Sequence, residues 1–149
     1  MTRTSRASRL KYCLNAVLLI APAWFFYASL TPPAQPDPWA PAALGEWTMT
    51  PQPSAEPPYP HDGKLIRDFQ FRICDGCAAA VRTAIAHVAI TPPTLDDTLD
   101  GVIHGHGDHL EAHVPWPHSP GAQHRLWIVA QDWAGRIHTA SWPLPSTHH

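Results

Sequence analysis

Apolar and polar positions change their pattern several times along this chain. The first pattern is a run without charge, Tyr12 to Leu30 (YCLNAVLLIAPAWFFYASL). At 1.5 Å rise per residue it reaches about 30 Å, the thickness of a bilayer core. It predicts a transmembrane anchor over 12–30. Arg3, Arg6, Arg9 and Lys11 make a basic tail over 1–11 before it. No basic residue follows directly, which puts the N-terminus in the cytoplasm. Ala21-Pro22-Ala23 mimics a signal-peptide cleavage site, but a cut there leaves WFFYASL as an apolar stub. The length of the run favours an uncleaved anchor.

The second pattern has period two. In Lys64 to Ile73 (KLIRDFQFRI), Leu65, Arg67, Phe69, Phe71 and Ile73 share one side, and apart from Arg67 that side is the apolar face of a strand. Cys77 to Ile90 (CAAAVRTAIAHVAI) is alanine-rich, with Val81, Ile85 and Val88 at helical spacing, and predicts a helix that Thr91-Pro92-Pro93 stops. Val102 to His104 and His109 to Val114 predict a hairpin turning at 105–108. Arg125 to Gln131 and Arg136 to Trp142 predict another around Asp132-Trp133-Ala134-Gly135. Strand, helix and two hairpins in that order predict an α+β fold, a small antiparallel sheet with one helix on a face. Trp127, Trp133 and Trp142 are then read as filling the core or covering the sheet.

Composition divides the chain further. Thr31 to Pro60 holds ten of the eighteen prolines, which predicts an extended Pro-rich linker over 31–62, interrupted by one strand-like stretch, Glu46 to Thr50. The folded domain is then 63–145, followed by a short tail, 146–149. All twelve acidic residues follow the apolar run, against six basic ones: Lys64, Arg67, Arg72, Arg82, Arg125 and Arg136. An acidic domain without a basic stripe argues against a nucleic-acid partner. With the anchor, this predicts a single-pass protein of a bacterial inner membrane whose C-terminal domain is periplasmic.

Candidate chemistry begins at Cys74-Asp75-Gly76-Cys77, a Cys-x-x-Cys pair between the predicted strand and the predicted helix. The only other cysteine, Cys13, lies in the apolar run. Two thiols at this spacing can share a soft metal ion or open and close a disulfide. At a helix N-terminus both sulfurs would be favoured as thiolates, while Asp75 would oppose this. Residues 69–85 (FQFRICDGCAAAVRTAI) resemble the metal loop and first helix of heavy-metal-associated domains. The resemblance implies Cys74 and Cys77 as ligands of a two-coordinate ion such as Cu(I). It departs where that family's methionine is Arg72 and where its second helix gives way to hairpins. The whole layout, with its RICDGC and LWIVAQDWAGRIH runs, resembles small accessory proteins of bacterial siderophore-iron uptake.

Histidine is the second unusual feature: eleven in the chain, with His104, His106, His109 and His113 inside ten residues. On a strand over 109–114, His109, Glu111 and His113 share the outer face, with His104 opposite across the hairpin. Imidazoles beside a carboxylate can hold copper, iron or zinc. Strand alternation alone also puts polar residues outward. His87 is expected packed or solvent-facing on the helix, and His148 and His149 in the tail. No phosphate loop or nucleophilic triad is present, so no enzyme is expected.

Three readings follow. The first is a membrane-anchored periplasmic accessory protein that handles copper or iron through Cys74 and Cys77, with His104, His109 and His113 as further metal ligands and a membrane-protein or metal-transfer partner. The second is a thiol-disulfide partner. The third is a non-catalytic structural or interaction subunit of an inner-membrane complex whose Cys-x-x-Cys pair is a permanent disulfide.

Overall fold

A computed structural model of the protein describes residues 6–31, 34–95 and 100–145, with side chains from residue 15 onward. It divides into two units, 1–34 and 35–149. The first is a single helix, α1 (Arg6–Leu30), with Pro22 inside it. Among the described residues no helix is long and apolar enough to cross a membrane. This corrects the single-pass anchor over 12–30, and with it the inner-membrane, cytoplasmic and periplasmic placement. The helix starts at Arg6, so its first turns hold Arg6, Arg9 and Lys11. The tails 1–5 and 146–149, with His148 and His149, lie outside the described residues.

Among its described residues the second unit has nine strands: β1 (Ala42–Leu44), β2 (Trp47–Pro53), β3 (Tyr59–His61), β4 (Lys64–Ile73), β5 (Val81–Ala89), β6 (His104–His106), β7 (His109–Pro115), β8 (Arg125–Asp132) and β9 (Ile137–Pro143). One sheet runs β1-β2-β4-β7-β6, with β3 also paired to β4; the other runs β5-β8-β9. Every pairing is antiparallel. With β2, β4, β5, β6, β7, β8 and β9 lettered A to G, the sheets read A-B-E-D and C-F-G. That is the strand order of the constant-type immunoglobulin sandwich.

The α+β expectation is therefore corrected to two packed β-sheets, and the helix over 77–90 to a short 3-10 turn (Cys77–Ala80) leading into β5. Alanine favours helix only weakly, and tertiary pairing overrides it. Here Ala84, Ala86 and Val88 point into the core while the strand pairs with β8 from Val81↔Asp132 to Ala89↔Arg125. Their small side chains leave room for Phe69 and Phe71 of the facing sheet, which are both buried.

The Pro-rich linker is corrected as well, since much of 31–62 is sheet. Pro51 and Pro53 sit in β2 beyond the reach of β1. The Pro51 carbonyl accepts the Trp39 N–H at 2.8 Å, so that residue turns its polar side away from β4. A proline there removes no ladder hydrogen bond, which is a setting in which a strand tolerates it.

The crossover into β6 is pinned to the edge of β5. Ala86 N–H donates to Gly101 O at 2.8 Å and Ile103 N–H to Ala84 O at 2.9 Å. Gly101 has φ +69°, and a Cβ on it would lie 2.1 Å from the Ala86 carbonyl oxygen. Gly101→Ala is therefore expected to destabilise the sandwich by about 3 kcal/mol, from left-handed strain plus a backbone clash. Gly63→Ala, also at positive φ but with nothing within 4 Å, is expected to cost only about 1 kcal/mol. Urea unfolding of the two variants measures the difference.

Candidate functional site

The strand order brings four connections to one end of the sandwich: the β1–β2 turn, the β4–β5 loop, the β6–β7 turn and the β8–β9 turn. The β4–β5 loop carries the cysteine pair. Gly76, at φ 72°, reverses the chain, and Cys77 N–H donates to Cys74 O at 3.0 Å. Cys74 N–H donates to Thr48 O on β2 at 3.1 Å, so the loop is tied to the neighbouring strand. Cys74 and Cys77 form a disulfide, half-buried against the core. The segment that begins at Cys77 is four residues of 3-10 turn, which supplies no α-helix terminus to stabilise thiolates.

Trp133, at the β8–β9 turn, is 70% exposed, which corrects its reading as core filler or sheet cover; Trp142 is buried at 4%. The Trp133 indole N–H donates to Ala79 O at 2.9 Å, in the loop that the disulfide closes. Below it, Asp132 is the one charged side chain buried among the described residues. Its carboxylate accepts Arg136 N–H at 2.9 Å, Arg136 Nε–H at 2.7 Å and a bond from His138 Nε2 at 3.2 Å. Burial pushes the carboxyl pKa up. The Arg136 backbone bond, the side-chain bonds from His138 and Arg136, and the Arg136 charge outweigh it and hold the pKa well below the usual carboxylate range. The His138 ring in turn packs edge-on against Trp47, at 4.8 Å between centroids.

On the outer face of the other sheet, β7 presents His109, Glu111 and His113, and β6 pairs His104 with Glu111. Each imidazole is held by its own carboxylate: His113 Nδ1 lies 2.6 Å from Asp68, His104 Nε2 3.4 Å from Glu111, and His109 Nε2 3.5 Å from Asp108. His104 and His113 stand 6.2 Å apart, and His61 stacks 6.4 Å from His113. His61, His104 and His113 line a cavity of about 460 Å³ with Lys64, Asp100 and Pro115. Asp68 and His61 belong to this face but not to the sequence reading. The signal for Asp68 was its place on the polar side of β4, opposite His113 in the pairing. His87 lies on β5, half-buried, with Nε2 3.0 Å from Asp100 O.

The expected metal ligands are not gathered into one group. Among the described residues no group of three or more His, Cys, Asp or Glu is placed to hold a metal ion. The sulfurs of Cys74 and Cys77 are bonded to each other, and His104, His109 and His113 are drawn apart to separate carboxylates.

The Asp132 network has a pH signature. A depressed folded pKa gives stability that is present above the unfolded value near 3.9 and lost as pH falls from there through the folded value. Asp132→Asn is expected to lower the melting temperature by several degrees at pH 7. The gap to the parent chain is expected to narrow progressively below about pH 4. Thermal melts from pH 7 to 3 read both effects, and a gap independent of pH excludes a role for the charge.

No curated protein and no solved structure matches this chain. A family model matches residues 7–145, and by it the chain belongs to the family described as uncharacterised conserved protein UCP029505.

Proposed function

We propose that this protein is a non-catalytic interaction module whose recognition end is the disulfide-closed β4–β5 loop together with the Trp133 turn. The observation that carries the reading is the state of Trp133. Its ring is 70% exposed while its N–H is already bonded to Ala79 O. An exposed indole costs apolar hydration, and a bonded one cannot swing freely to find cover within the fold. Tryptophan is enriched among the anchors of protein–protein contacts, since it offers a large rigid surface at low entropic cost. Ala79 and Ala80 are exposed beside it, and Ile137 is 54% exposed on the strand that leaves the turn. The partner this surface fits is a protein with an apolar pocket wide enough for an indole.

The disulfide serves this role by holding Ala79 under the ring. Metal transfer through Cys74 and Cys77 requires thiolates, and so a reduced pair. The interaction reading requires the bridge.

A photo-crosslinker separates the possibilities. With benzoylphenylalanine replacing Ala134, beside Trp133, irradiation of the full chain in its native cells is expected to give one discrete protein adduct. The same group replacing His118, at the other end of the sandwich, is expected to give none. Trp133→Ala is expected to reduce the Ala134 adduct at least tenfold. Cys74→Ser with Cys77→Ser is expected to reduce it several-fold while the purified chain still melts cooperatively. Identical adducts from both positions, or none from either, would sink the proposal. A mixed disulfide that accumulates in Cys77→Ala alone would favour thiol exchange instead.

A further inference from the structure

Arg67 occupies a position where the strand pattern asks for an apolar residue. It lies between Leu65 and Phe69 on the inward side of β4, the side on which Phe69, Phe71 and Ile73 are 1–2% exposed. The side chain is half-buried. Its guanidinium carbon stands 5.2 Å over the ring of Trp116 and 6.0 Å from that of Phe69. Its polar partners are few. Nη2 donates to Ser54 O at 3.4 Å, near the limit of a hydrogen bond. Nε is buried and has no hydrogen-bond partner. No carboxylate among the described residues forms an ion pair with it. Its neighbour Asp68 is held by Tyr59 and His113. Burial accordingly pulls the Arg67 pKa down, with no opposing charge to restore it.

A desolvated cation without a counterion is costly, and an orphaned buried donor in a folded protein calls for an explanation. There is room beside the side chain for a counter-charge. Arg67 lines a cavity of about 410 Å³ whose other walls are Trp116, Pro120, Ala122, Leu144 and Pro145. That volume lies in the range of small-molecule sites. The walls are set in advance: Trp116 N–H donates to Leu65 O at 2.8 Å, its ring stacks on Phe69 at 6.2 Å between centroids, and Pro115 and Pro117 restrict the backbone on either side.

We infer that this cavity is a binding site for a small organic monocarboxylate with an apolar, preferably aromatic, body. The carboxylate would meet the Arg67 guanidinium, whose fork matches two oxygens, and the body would lie against Trp116, Leu144 and the prolines. One cation among apolar walls suits one negative charge. A phosphate dianion would bring more charge and more lone pairs than a single guanidinium can satisfy, and the surrounding domain is acidic. The site stands at the opposite end of the sandwich from Trp133, so it is independent of the interaction surface proposed above.

Phenylacetate is a suitable probe, with phenylacetamide as its neutral counterpart and inorganic phosphate as an anion without an apolar body. Titrated into the full chain, phenylacetate is expected to shift the Trp116 indole N–H resonance, assigned through Trp116→Phe, along a saturable curve. Phenylacetamide and phosphate are each expected to bind at least tenfold more weakly. Arg67→Met removes the charge at similar volume. It is expected to abolish the preference for phenylacetate over phenylacetamide without lowering the melting temperature. If that variant fails to fold, Arg67→Lys, which keeps the charge but not the fork, is expected to bind phenylacetate several-fold more weakly. No saturable shift, equal affinity for acid and amide, equal affinity for phosphate, or undiminished binding by the Arg67 variant overturns the inference.

Discussion

Phe69 and Phe71 stand two residues apart on the inner face of β4, with 5.9 Å between ring centroids, and their own sheet cannot bury them. Covering each is worth about 1.5–3 kcal/mol, and only an apolar layer on the far side can do it. That layer is β5-β8-β9, where Ala84, Ala86, Leu126, Ile128, Ala130, Ala140 and Trp142 face inward. The rest follows from bringing the two faces together. β4 must pair on both sides to be central, which draws β2 and β3 to one flank and β7 to the other. The chain must then cross between sheets after residue 73, and the cysteine loop is that crossing.

Much of the strand content was legible. Period-two alternation over 64–73 names the residues that turn inward, Arg67 included, and both hairpins stand within about two residues of where turn chemistry puts them. The stretch 77–90 was not legible because its residues satisfy two periods at once. Val81, Ile85 and Val88 fit a helix, while Ala84, Ala86 and Val88 fit a strand, and only the partner strand β8, some forty residues on, decides between them. The prolines of 31–62 misled for a related reason. A proline's cost in a strand depends on which way its nitrogen points, and composition does not carry direction. Hydropathy over 12–30 marked an apolar run, but the helix that contains it begins among basic residues.

The candidate chemistry shows the same division. The outward face of β7, with His109, Glu111 and His113, follows from alternation. The pairing of each imidazole with a carboxylate depends on register between strands, which brings Asp68 opposite His113. Spacing shows that Cys74 and Cys77 can bridge, but not whether they are joined. The bond from Trp133 to Ala79 spans 54 residues and has no local trace. Side-chain faces are local facts of a strand; partners are facts of topology.

Pro51 and Pro53 carry one more consequence. A sheet of this length ends in a row of unpaired peptide groups, and such a row invites a strand from another molecule. Beyond β1 the open flank of β2 presents two residues that have no N–H to give, and one of their carbonyls is already taken by Trp39. An incoming chain would find gaps where its acceptors need donors. The residues that gave this segment the look of a spacer thus guard the border of the sheet against stacking on its own kind.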